Sequence, residues 1–103
     1  MVRFRSICTA QYGHFAEVMQ VAEELNSINR SRGWREGTLM VPSTGEANVL
    51  VAEFEYPDFA TYQSEGEAMQ GDAEWMKTFR RMAEHVYPQS ARVELYESAP
   101  HLP

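Results

Sequence analysis

The residues here able to do chemistry are three histidines, one cysteine and a scatter of tyrosines and carboxylates, so their spacing comes first. His14, His85 and His101 show no metal-ligand spacing, and the carboxylates form no paired constellation, so no metal site is expected. A glycine-rich phosphate loop is absent. Cys8 stands alone, which excludes an internal disulfide framework and a cysteine-based zinc site. A thiol in mid-strand with no base near it in sequence reads as a small buried apolar group rather than a nucleophile. Three side chains remain as candidate proton carriers: His14, Tyr62 and His85. His14 and Tyr12 flank Gly13 ahead of a helix, where a histidine could act as general acid or base at a pocket mouth. The plainer reading is a solvated loop residue. His85 shares a helix with Trp75, but ten residues at ~100° each leave the two roughly 80° apart. That puts His85 on the flank of the apolar face, as a half-exposed surface histidine.

The elements that must position these groups follow from periodicity. Val2 to Ala10 alternates and reads as a strand that Tyr12 and Gly13 end. From His14 to about Arg32 the period is helical: Phe15, Val18, Ala22, Leu25 and Ile28 share one face, and Gly33 marks the C-terminus. Trp34–Val41 and Ala47–Tyr56 read as a hairpin around Pro42–Glu46. Pro57 and Asp58 open a second helical stretch, loosened at Gly66 and Gly71. Asp72 caps its strongest part, where Trp75, Met76, Phe79, Met82, Ala83 and Val86 share a face. Pro88 ends it, and Ala91–Ser98 is a fourth strand. Ala99–Pro103 is a short tail.

The order βαββαβ, with right-handed crossovers, gives one α+β domain over residues 1–103. Its fold is ferredoxin-like: a four-stranded antiparallel sheet with two helices on one face. Pairing the first and third strands antiparallel, charge selects a register. Arg3 meets Glu55, Arg5 meets Glu53 and Ile7 meets Val51, while Phe4, Ser6 and Cys8 meet Phe54, Ala52 and Leu50. Phe4, Cys8, Leu50 and Phe54 then form the floor for the helices. The free face keeps Ile7, Val49 and Val51, with either Leu39 and Val41 or Met40, and so does not alternate as a solvated face would. Burial against a second copy is expected, giving a homodimer through the helix-free face.

Composition narrows the class. Hydrophobic residues make up 44% and charged residues 23%, the profile of a folded globular chain. The net charge of −6, with no basic cluster, argues against nucleic acid. No apolar run nears the ~20 residues that span a bilayer, so no membrane partner is expected. The N-terminus shows no signal-peptide pattern, and a cytoplasmic protein is the plain reading.

Gln11–Phe15 resembles the glycine loop that starts the first helix in the dimeric α+β barrel superfamily, and Val51–Tyr62 resembles its third strand running into the second helix. That superfamily includes antibiotic-biosynthesis monooxygenase-like and NIPSNAP-like domains. The resemblance implies sheet-to-sheet dimers with a small-molecule cavity between sheet and helices. The superfamily's members include cofactor-free oxygenases of polycyclic phenols, haem-degrading enzymes, isomerases and many with no known activity, so the resemblance implies the fold more closely than the function. Haem-degrading members carry a pair similar to Trp75 and His85, the histidine ligating iron. Here Tyr62 stands nearer than Trp75 to the place of that tryptophan, and Ser6, Cys8 and Thr9 occupy the region of the group's first-strand asparagine.

These readings meet in one expected pocket, lined by Ser6, Cys8, Asn48, Phe54, Tyr62, Trp75 and Phe79, for a small aromatic or hydrophobic ligand. The plainer alternative is that Met and Trp side chains fill that space. The expected function is a small-molecule-binding homodimer, a cofactor-independent monooxygenase or isomerase that needs no bound cofactor. The alternatives are a non-catalytic stress- or assembly-related dimer with a filled core, and a haem-degrading oxygenase.

Overall fold

A computed structural model describes residues 1–99; of the tail, 100–103, which includes His101, lie outside the described residues. Strand β1 spans Val2–Thr9 and runs through a turn into helix α1, Phe15–Arg32. Gly33 ends α1 in the left-handed conformation (φ 76°), and its amide and that of Trp34 close on Arg30 and Asn29 carbonyls. Strand β2 is Thr38–Met40 and β3 is Val49–Tyr56. Helix α2, Phe59–Gln70, is capped by Asp58, whose side chain accepts from the Thr61 amide at 2.7 Å. Helix α3, Ala73–Arg81, is capped by Asp72, which accepts from the Trp75 amide at 2.9 Å. Strand β4, Arg92–Glu97, completes the sheet. The sheet order is β2-β3-β1-β4, all antiparallel, the ferredoxin-like arrangement.

The β1–β3 register is the one that charge and size select: Arg3 opposite Glu55, Phe4 opposite Phe54, Arg5 opposite Glu53, Ser6 opposite Ala52, Ile7 opposite Val51 and Cys8 opposite Leu50. On the free face Arg3 lies 3.2 Å from Glu55, and Arg5 3.3 Å from Glu53 and 4.0 Å from Glu94. Met40 pairs with Val51 and Leu39 with Ala52, which puts Met40 on the free face and Leu39 on the helix side. The core is small. Val18 and Ala22 of α1 pack on Ala10, Leu50 and Val86, with Cys8, Phe15, Met19, Leu39 and Met82 around them. Each fully buried valine contributes roughly 1.5–3 kcal/mol by leaving water.

Two elements depart from simple periodicity. The Trp34–Val41 strand narrows to three residues because side chains take the backbone groups a ladder would use. The Asn26 amide donates to the Gly37 carbonyl and its oxygen accepts the Gly37 amide, both at 2.8 Å. The Arg35 amide goes to Glu65 at 2.8 Å and the Arg35 carbonyl to Asn29 at 2.9 Å. The second helical stretch, in turn, is two helices divided at Gly71, while Gly66 stays within α2. Nor does it run on to Pro88: after Arg81 it tightens into a 3-10 turn, because Val86 is drawn out to bridge Ala10.

Candidate functional site

The site is decided by where α3 sits. It packs against α1 and α2 rather than closely on the strands. Trp75, Phe79 and Met82 lie along one stripe of the helix, at i, i+4 and i+7. The Trp75 indole donates to the buried Asn29 of α1 at 3.0 Å, and Met82 packs on the core, so the stripe faces inward. Phe79, between them and stacked on Trp75 with ring centres 5.1 Å apart, is nevertheless 44% exposed. Below it, Val93 and Leu95 of β4 pair with Ser6 and Phe4 and therefore point to the helix side of the sheet. They are 65% and 42% exposed. Phe79, Val93 and Leu95 thus leave apolar surface exposed on the inner stripe of α3 and on the helix side of β4.

Phe4, Ser6, Val93 and Leu95 share the helix side of the β1–β4 pair, and Phe79 with Trp75 the inner stripe of α3. Tyr62 and Phe59 of α2 stand near Phe4: the Tyr62 ring centre lies 5.6 Å from those of Phe4, Tyr56 and Phe59. Ser6 and Tyr62 supply hydroxyls to an otherwise hydrocarbon surface. Two depressions lie away from these residues. One of about 310 Å³ runs between α1 and α3, lined by Glu24, Ser27, Ile28, Glu74, Thr78 and Arg81. One of about 220 Å³ sits by the β2–β3 loop, among Phe15, Val41, Glu46 and Asn48.

Of the residues the sequence put in one pocket, Ser6 lies on the helix side of β1 opposite Val93, Tyr62 packs on Phe4, and Trp75 and Phe79 stack on each other. Cys8 packs against the core, and burial pushes its thiol pKa up, which keeps it protonated and a poor nucleophile. Phe54 leans the other way, over Gly37, where a Cβ would come within 2.7 Å of its ring. Asn48 sits at the far end of β3, six residues from Phe54 and so roughly 20 Å away along the strand. Its role there is structural: it takes a positive φ of 61°, which asparagine tolerates, and its carbonyl accepts the Ala10 amide at 2.8 Å. Sequence reasoning missed Val93 and Leu95. Testing the β1–β4 register as the β1–β3 register was tested would have placed them beside Phe4 and Ser6.

The histidines also fall differently from a solvated reading. His14 and His85 meet, Nδ1 to Nδ1 at 3.0 Å, with ring centres 5.3 Å apart. Such a bond needs one nitrogen to carry a proton and the other to lack it. Both backbones are held: the Gln11 amide donates to the His85 carbonyl at 2.7 Å, and the His14 amide to Gln11 at 2.9 Å. The pair closes the chain end of β1 beside the Ala10–Val86 bridge, some four residues and roughly 13 Å along β1 from Ser6. Ten residues of largely helical chain, on the order of 15 Å, separate His85 from Trp75. Among the described residues no cluster of three or more histidine, cysteine or acidic side chains could hold a metal ion, and no helix is long and apolar enough to cross a membrane.

No family model matches the chain, and no curated protein matches it. Solved structures do. An uncharacterised NIPSNAP domain protein from Burkholderia xenovorans superposes with a TM-score of 0.79 at 13% identity, over 100% of this chain and 99% of that one. An antibiotic biosynthesis monooxygenase superposes at 0.74 and 17% identity, over 97% and 100%. SnoaB, a cofactor-independent oxygenase from Streptomyces nogalater, superposes at 0.72 and 16% identity, over 99% and 96%. At such identities the likeness carries the fold alone: this chain has the ferredoxin-like α+β fold shared by NIPSNAP and antibiotic-biosynthesis-monooxygenase domains.

Proposed function

We propose that the chain works as a homodimer, joined through its helix-free sheet face, that takes a flat aromatic or hydrophobic small molecule into an apolar trough between α3 and the β1–β4 edge, floored by Phe4, Ser6, Val93 and Leu95 and walled by Phe79 and Trp75. The reaction is cofactor-independent oxygenation or isomerisation. The observation that carries this is the exposure of Phe79, Val93 and Leu95 on inward faces, where a filled core would have hidden them. An apolar trough removes water from a phenol-like substrate, and Tyr62, at its end on Phe4, is the group placed to move a proton. Oxygen then takes its electrons from the substrate carbanion and forms a C–O bond, and the resulting hydroperoxide loses water to leave a quinone-type product. SnoaB, a cofactor-independent oxygenase of the same fold, supports this class of reaction. For the dimer, the support is a free face that leaves Val51 and Met40 partly exposed, next to Ile7 and Val49, which are already buried, with the Arg3, Arg5, Glu53 and Glu55 ion pairs at one end.

The test is binding of a naphthalene probe, read by quenching of tryptophan fluorescence, alongside sedimentation for the assembly state. Wild type should bind as a dimer, and Leu95→Glu should lose binding while remaining a folded dimer. Oxygen uptake with a panel of polycyclic phenols, with Tyr62→Phe slowed, then identifies the oxygenase. A dimer that binds no aromatic probe would turn the reading to the non-catalytic assembly, and a monomer would remove the interface.

A further inference from the structure

The trough has a charged rim, and its charge is out of keeping with the rest of the chain. Nine basic residues face fifteen acidic ones, and among the described residues every arginine but one makes an ion pair. Arg3, Arg5, Arg30, Arg32, Arg35, Arg81 and Arg92 are paired, while Arg80 and the single lysine, Lys77, are not. Glu84, four residues on from Arg80, makes no pair with it.

The helix wheel shows where Arg80 stands. Glu74, Thr78 and Arg81 face α1 across the outer groove, and Arg81 pairs with Glu24. The next stripe round the helix is Trp75, Phe79 and Met82, facing inward. Continuing the same way, at ~100° per residue, brings Met76, Ala83 and Arg80 onto the flank turned away from α1. Helix α1 lies over Leu50 and Leu39, the β3 and β2 side of the sheet, whereas β4 is the opposite edge. The Arg80 flank therefore turns towards the β4 side of the molecule, the side that carries Val93 and Leu95.

An unpaired guanidinium beside an open hydrocarbon surface is suited to a ligand with both properties. Resting on the trough reading above, we infer that the occupant is a hydrophobic or aromatic acid, its ring on Phe4, Val93, Leu95 and Phe79 and its carboxylate on Arg80. A planar guanidinium binds a carboxylate through two parallel bonds, and the apolar wall beside it weakens solvent screening. Lys77, one position further round towards solvent, adds charge without a fixed geometry.

The test compares 2-naphthoate with 2-naphthamide, equal in ring and differing in charge, by tryptophan quenching on the full chain. The acid should bind roughly five- to twentyfold more tightly than the amide, the range for a charge-assisted bond at a partly exposed site. Arg80→Gln should bring the acid down to the amide and leave the amide unchanged, Lys77→Gln should do far less, and added salt should narrow the preference. Equal binding of both probes by wild type, or a preference that survives Arg80→Gln, overturns the acid assignment and leaves the trough standing. Binding of neither probe removes the trough reading and this inference with it.

Discussion

Asn29 is the polar joint behind the trough wall, and replacing it by alanine should cost about 2–4 kcal/mol. It is 1% exposed on the inner face of α1, at a position where helical periodicity would accept an aliphatic side chain. Its amide donates to the Arg35 carbonyl at 2.9 Å and its oxygen accepts the Trp75 indole N–H at 3.0 Å, so one side chain ties α1 to α3 and to the approach of β2. Asn29→Ala removes both bonds and leaves two partners without one. A buried group so stranded costs about 1–3 kcal/mol, the indole less because Trp75 is half-buried and can turn to water. With a urea dependence of about 1–3 kcal/mol per molar, the unfolding midpoint should fall by roughly 1–3 M. Trp75→Phe removes only the indole bond, and the double variant should show a coupling of about 0.5–1.5 kcal/mol. Urea unfolding followed by far-ultraviolet circular dichroism measures all three. Asn29→Ala within about 0.5 kcal/mol of wild type, or strict additivity with Trp75→Phe, would refute the reasoning.

Tyr56 gives a pH dependence. Its burial, and next the Glu65 carboxylate, push its hydroxyl from 10.0 up to about 12. Between those values the unfolded chain loses this proton while the folded chain keeps it, so stability falls as pH rises, by about 2–3 kcal/mol across the whole interval. Tyr56→Phe should flatten that fall in unfolding measured from pH 9 to 12, and equal slopes would sink the assignment. The His14–His85 bond should appear in a double-mutant cycle: His14→Ala and His85→Ala each cost about 0.5–1.5 kcal/mol, and the double variant little more than either alone. Costs that simply add would mean the rings do not interact in solution.

What the sequence determined was whatever short-range chemistry encodes. Alternation in Val2–Thr9 and Val49–Tyr56 made strands, because side chains on a strand point to opposite faces and half of them needed burial. The β1–β3 register was legible because Arg3, Arg5, Glu53 and Glu55 on one face and Phe4 and Phe54 on the other agree in a single alignment. Asp72 and Gly33 marked helix ends through backbone groups within three residues of themselves. Other features had no such local signature. The length of β2 depended on Asn26, Asn29 and Glu65 reaching backbone atoms of a segment they meet only in the folded chain. His14 and His85 are 71 residues apart and touch because Val86 leaves its helix to bridge Ala10. The trough is the clearest case. Periodicity says which side chains of α3 and β4 face inward, and it says so equally for a packed core and an open one. The exposure of Phe79, Val93 and Leu95 follows from α3 being tied to α1 through Asn29 and Arg81, a matter of rigid elements placed by distant contacts, and only the tertiary structure decides it.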